Sequence, residues 1–201
     1  TLWRGKLDAD ACLGLGFPMF VKPANLGSSV GISKAKDVGE LRAALDLAAQ
    51  FDVKVLVERG IAGRELECAV LGNEDPVAST PCEILPSQEF YDYQDKYLLD
   101  KALTEIPARL TPAETAEVRR LAVECYRTVC CEGMARVDFL LEAASGKLFI
   151  NEINTIPGFT SISMYPKMWE ASGLPMAKLV DRLIELALAR HTARLQTRYA
   201  R

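Results

Sequence analysis

The stretch ARVDFLLEAASGKLFINEIN, residues 135–154, decides the fold. ARVDFLLE and KLFINEIN each read as a strand rich in branched and aromatic residues, with AASGK as the turn between them. Side chains two apart on a strand share a face, so Arg136 lies with Asp138 and Glu152 with Asn154. If residues 143–147 close the hairpin, Glu142 faces Leu148, Asp138 faces Glu152 and Arg136 faces Asn154. Two carboxylates then meet across the ladder, which costs up to roughly 1 kcal/mol unless positive charge sits between them. A hard cation resolves the conflict. Asp, Glu and Asn oxygens suit Mg²⁺, which keeps its other positions for water and phosphate. Arg136 beside the same point can grip phosphate oxygens as a fork. Phe139, Phe149 and Ile150 are expected to be buried on the opposite face. Solvated polar positions on a half-buried hairpin stay open as the alternative, and a one-residue slip would part the carboxylates.

Outward from the hairpin, PMAKLVDRLIELALAR (175–190) sets Leu179, Leu183, Leu186 and Arg190 along one side of an amphipathic helix. The sole histidine, His191, is expected as an exposed residue near its end. Upstream, Thr111, Pro112 and Glu114 supply an N-cap, an N1 proline and an N3 acid for a helix to about Cys131. Residues 86–110 have two prolines and no period, the signature of a long surface loop. Before them, KVLVE, LECAVLG and VASTPCEIL read as strands of an antiparallel sheet, with IAGRE as a turn. Asp37 and Glu40 form a capping-box-like start to a helix over about 38–50. PMFVKP and ISKA flank the segment ANLGSSVG as two further strands.

That segment can hold an anion. Gly27 and Gly31 permit positive φ and close backbone approach, so intervening N–H groups and the Ser28 and Ser29 hydroxyls can converge on phosphate. Lys22 supplies a point charge from the preceding strand. The spacing is not that of a Walker A loop, and a plain flexible turn remains the alternative.

Composition narrows the partners. In 201 residues, 49% are apolar and 25% charged, enough for one large domain or two small ones. A formal charge of −3 gives no basic excess for nucleic acid, and no apolar run approaches a membrane span. Neither is an expected partner. Six cysteines without CxxC spacing suggest a reducing, cytoplasmic setting. The chain starts at Thr1 with neither an initiator methionine nor a signal-peptide pattern, so it is expected to be part of something longer.

VKPANLGSSVGIS, VLVERGIAGREL, YDYQDKYLLD, ARVDFLL and INEINTIPGFTSISMYP, in that order, resemble the carboxy-terminal part of the D-alanine-D-alanine ligases. The resemblance runs from about Gly16 through nearly the whole chain. It implies the α+β ATP-grasp fold, with ATP between two subdomains. Residues 1–60 would belong to the central subdomain and 61–201 to the carboxy-terminal one, with 86–110 as a lid loop; the family's amino-terminal domain has no counterpart here.

The resemblance also implies roles. Lys22, Ser28 and Ser29 would meet the phosphates, Glu58, Ile61 and Glu65 the adenine and ribose, and Lys96 would bind ATP from the lid. Asp138, Glu152 and Asn154 would hold two Mg²⁺ ions, with Mn²⁺ able to replace them. Arg136 and the Gly158 backbone would stabilise charge on the reacting carboxylate. Ser163 and Met164 would hold the second D-alanine, and Tyr97 would close the lid near Ser28. The implied reaction joins two D-alanines at the expense of ATP for peptidoglycan precursors, in a cytoplasmic enzyme that dimerises at full length. The Lys96-Tyr97 pair favours a dipeptide product over the D-lactate type, whose lid carries histidine. Another ATP-grasp carboxylate-amine ligase and a non-catalytic ATP-binding fragment are the alternatives.

Overall fold

The computed structural model describes residues 1–27, 30–85, 103–160 and 162–197, with Leu103 described by its backbone alone. They form two compact units: Thr1–Ala62, and Gly63–Leu85 with Leu103–Arg201 as far as described.

The first unit comprises β1 (Leu2–Trp3), a 3₁₀ turn (Asp10–Leu15), β2 (Met19–Pro23), β3 (Ser33–Ala35), α1 (Val38–Phe51) and β4 (Lys54–Arg59). Its antiparallel sheet runs β1-β4-β2-β3. The Asp37 carboxylate accepts the Glu40 amide at 2.9 Å, while the Glu40 carboxylate accepts the Lys36 amide at 2.7 Å. The start of α1 is thus capped reciprocally, one residue off the usual box. Leu41, Ala44, Leu45 and Ala48 bury the helix against Met19, Val21, Ala35 and Val55. Strand alternation then turns Phe20 and Lys22 to the other face. Of the two loop glycines, Gly31 alone has positive φ, at 71°. A Cβ on it would lie 2.7 Å from the Phe51 ring and 2.9 Å from Pro23, so the chain needs glycine there.

The second unit contains β5 (Gly63–Gly72), β6 (Val77–Ala78), β7 (Cys82–Leu85), β8 (Leu103–Glu105), α2 (Pro112–Thr128), β9 (Gly133–Glu142), β10 (Leu148–Asn154), α3 (Met164–Ala171) and α4 (Met176–Leu195). The antiparallel order is β10-β9-β5-β7-β8, with β6 on β5. Leu66, Cys68 and Val70 of β5 and Ala135, Val137 and Phe139 of β9 pack with Val118, Ala122 and Tyr126 of α2. At about 25 cal/mol per Å² of apolar area, such burial is the main term holding sheet to helix. The other face of the sheet carries the alternate residues.

Several expectations are corrected. VASTPCEIL is two strands: the Ser79 hydroxyl takes the Ala69 amide at 3.0 Å, and Pro81 has no amide to continue the ladder. The span 86–110 is not all loop, because Leu103–Glu105 pairs with β7. IAGRE is not all turn: Gly63 pairs with Glu142, and a Cβ there would lie 2.0 Å from the Leu141 oxygen. The α2 helix ends at Thr128. Ile150 is exposed rather than buried. The helix α3 had no expectation; it is tied down by Tyr165, whose buried hydroxyl donates to the Val70 carbonyl at 2.9 Å.

Candidate active site

On the face of the large sheet away from α2, carboxylates converge on Arg136. Its Nε and Nη2 donate to Asp138 Oδ1 and Oδ2 at 2.7 and 2.6 Å. Glu67 Oε1 lies 3.3 Å from Nε, and Glu152 Oε1 lies 3.9 Å from Nη2. Burial works against the charge on Arg136, but the Asp138 bonds and the Glu67 charge outweigh it and hold its pKa above the ordinary value. Glu67 and Asp138 are paired neighbours on β5 and β9, and both are buried. The Cys82 thiol, 3.9 Å from Glu67 Oε2, is pushed up by burial and then by that carboxylate, so it remains protonated.

A bulge makes the carboxylates meet. Near the turn Leu148 pairs with Leu141, so Glu142 does not face Leu148 as expected. Instead the Glu142 amide donates to the Lys147 carbonyl at 2.9 Å. The register then shifts between Ile150 and Glu152, leaving Asn151 as an extra residue. Beyond it Glu152 pairs with Asp138 and Asn154 with Arg136. Without the bulge, Glu152 and Asn154 would share a face with Leu148 and Ile150.

Past β10 the chain is held by polar side chains. Asn154 Oδ1 accepts the Ile156 amide at 3.1 Å, an Asx-type turn. Ser163 precedes α3 but does not cap it; its Oγ accepts the Thr160 amide at 3.1 Å and lies 2.9 Å from Thr160 Oγ1. A Cβ on Gly158 would come within 2.8 Å of Ser163 Oγ. Gly158 and Ser163 are therefore brought together. Met164 opens α3.

In the first unit, Lys22 Nζ lies 2.8 Å from Glu58 Oε2. Phe20 pairs with Glu58 and Lys22 with Leu56, so the contact is the diagonal one across β2 and β4. Ile61 follows β4 and is half-buried; Glu65 sits on β5, paired with Leu140. Ser28, Ser29, Lys96 and Tyr97 lie outside the described residues.

A family model described as D-ala D-ala ligase C-terminus matches residues 4–185. The chain belongs to that family. It is 71% identical over 192 residues to the D-alanine–D-alanine ligase of Solibacter usitatus (strain Ellin6076), covering 96% of this chain and 59% of that protein. To the D-alanine–D-alanine ligase of Acetivibrio thermocellus it is 55% identical over 181 residues, 90% of this chain and 48% of the relative. The chain thus spans about half the length of the curated relatives it matches. The structure of the D-alanine-D-alanine ligase from Coxiella burnetii superposes with a TM-score of 0.82 at 41% identity, over 94% of this chain and 51% of that one. The VanG D-Ala:D-Ser ligase from Enterococcus faecalis gives 0.75 at 40% identity, over 85% and 49%. The fold is the α+β ATP-grasp fold of these ligases.

For the divalent cation that D-Ala-D-Ala ligases imply, Asp138, Glu152 and Asn154 fit by chemistry, as an oxygen-only set suited to Mg²⁺. Among the described residues no group of three His, Cys, Asp or Glu forms a ready cage, and both Asp138 oxygens sit on Arg136. Glu67 escaped the sequence reading. Its signal was a carboxylate two residues from Glu65 within the otherwise apolar LECAVLG.

Proposed function

We propose that the protein carrying this chain is an ATP-dependent ligase joining two D-alanines into D-alanyl-D-alanine for peptidoglycan precursors. The observation that carries the reading is the Arg136 guanidinium set among Asp138, Glu67 and Glu152 in a chain of this family. In the proposed reaction one D-alanine carboxylate oxygen attacks the γ-phosphorus of ATP, releasing ADP. The amine of the second D-alanine then attacks the acyl carbon; a C–N bond forms, the C–O bond to phosphate breaks, and phosphate leaves.

Charge develops on oxygens in both steps, and fixed donors offset it best where water is scarce. Arg136 offers a planar fork, and the Gly158 amide is the proposed second donor. Lys22, leaving Glu58, is the proposed phosphate contact, with Ser28 and Ser29, while Lys96 would bind ATP from the lid. Glu58, Ile61 and Glu65 would meet adenine and ribose, Ser163 and Met164 the second D-alanine, and Tyr97 the lid. Asp138, Glu152 and Asn154 would hold two Mg²⁺ ions, or Mn²⁺; when bound, the metal neutralises phosphate charge. A cytoplasmic homodimer belongs to the same reading.

Phosphate release, measured with ATP and each of D-alanine, L-alanine, D-serine and D-lactate, tests it. D-Alanine alone should support turnover, with mass spectrometry finding D-alanyl-D-alanine. Preference for an L-amino acid would indicate another carboxylate-amine ligase, and ATP binding without turnover a non-catalytic module. The 40% identity to a D-Ala:D-Ser ligase makes the mixed D-alanine and D-serine reaction the second reading.

A further inference from the structure

Asp138 gives one lone pair of each oxygen to Arg136, so a cation that ligates Asp138 competes with the fork for the charge of one carboxylate. At 2.7 and 2.6 Å the guanidinium fork holds both oxygens, and a cation on the same carboxylate would stand beside a like charge. A cation on Asp138 therefore weakens the fork's hold on an arginine with only 19% of its side chain exposed. The carboxylate next nearest to that fork is Glu67, with Oε1 at 3.3 Å from Nε. Its side chain is 6% exposed, so it has little water to turn toward. The β5-β9 pairing sets its Cα opposite Asp138, on the same face. While Nε points at Asp138, the Glu67 contact is long; once Asp138 withdraws, the same proton can turn to Glu67.

We propose that Glu67 is a positioning residue, which retains the Arg136 guanidinium when Asp138 gives its oxygens to a cation. With a cation on Asp138, Arg136 stays beside the site as a fork open to substrate, and Glu67 is what holds it there. The catalytic half of this rests on the ligase reading above; the cation half does not.

Two variants test it in the protein that carries this chain. Glu67→Gln keeps the shape and loses the charge; Glu67→Asp keeps the charge and draws it back by one methylene. Retention of Arg136 needs both charge and reach, so Mn²⁺ binding, titrated by electron paramagnetic resonance without substrates, should weaken at least about 5-fold in each variant. In the ligase assay, kcat should fall roughly 10- to 100-fold in Glu67→Gln, with the KM for ATP within about 2-fold of wild type. Wild-type Mn²⁺ affinity in Glu67→Asp would mean that charge alone matters, and overturns the proposal. So does wild-type kcat in Glu67→Gln, whatever its melting temperature. If Glu67→Gln does not fold, Glu67→Asp decides alone. If the wild-type protein shows no ligase activity, the ligase reading fails while the Mn²⁺ titration still judges Glu67.

Discussion

Arg136 holds both oxygens of Asp138, two positions along its own strand, through the parallel N–H bonds of its fork at 2.7 and 2.6 Å. Asp138 and Glu67 are both buried beside it. Arg136→Met takes the fork from buried Asp138 and the arginine contact from Glu67, and is expected to cost about 3–5 kcal/mol of stability. Arg136→Lys keeps charge but not the fork, and should lower turnover by about 100-fold or more. Denaturant midpoints and kcat check the pair; a wild-type midpoint for Arg136→Met would show that the cluster does not need its cation.

Glu152 differs from Asp138 in exposure: 53% of its side chain meets solvent, and its contact with Arg136 is 3.9 Å. A pair so exposed contributes at most about 1 kcal/mol, so Glu152→Gln should melt close to wild type. Mg²⁺-dependent turnover should nevertheless be lost. Turnover equal to wild type refutes Glu152 as a metal ligand.

A methyl group on Gly158 would meet Ser163 Oγ at 2.8 Å. The hydroxyl must move, and with it the two contacts to Thr160. Since the displaced atom ends a short side chain, Gly158→Ala should fold normally. The KM for D-alanine should rise by about 10-fold, the penalty expected for a misplaced positioning group. Steady-state kinetics with D-alanine varied settle the point, and an unchanged KM counts against Ser163 as a substrate contact.

Glu83 accepts Arg64 Nε and Nη2 at 2.7 and 2.6 Å, and these bonds hold its carboxyl below the ordinary 4.5. With the folded pKa depressed, the unfolded chain binds the proton more readily. The pair's stabilisation is therefore complete above about pH 4.5 and is lost as pH falls through the depressed value. Melting curves of wild type and Glu83→Gln should differ at neutral pH, and the gap should narrow as pH falls below the ordinary carboxylate range. A constant gap across that range would exclude the linkage.

What was legible in advance was local. The Asp37 and Thr111 caps, the period of Leu41, Ala44, Leu45 and Ala48, and the two-residue spacing of Arg136 with Asp138 all act within a few residues. Each stands in the structure as read. The pairing of Glu152 with Asp138 was also anticipated, but by counting from a Glu142–Leu148 pair that does not exist. The bulge at Asn151 restores the lost residue, and a bulge leaves no mark in a pattern of period two until the partner strand is known.

By itself, then, the sequence determined the helices α1, α2 and α4, the shared face of Arg136 and Asp138, and the presence of the oxygen-bearing residues Asp138, Glu152 and Asn154, because propensity, capping and alternation are short-range. Only the tertiary structure decided which charges meet. Lys22 faces Glu58 across two strands, and Arg136 rests on Asp138 with Glu67 behind it, brought in from a strand about seventy residues earlier in the chain. Electrostatic partners are chosen by distance in space, and burial then fixes that choice, since carboxylates as enclosed as Asp138 and Glu67 are costly to leave without a compensating charge.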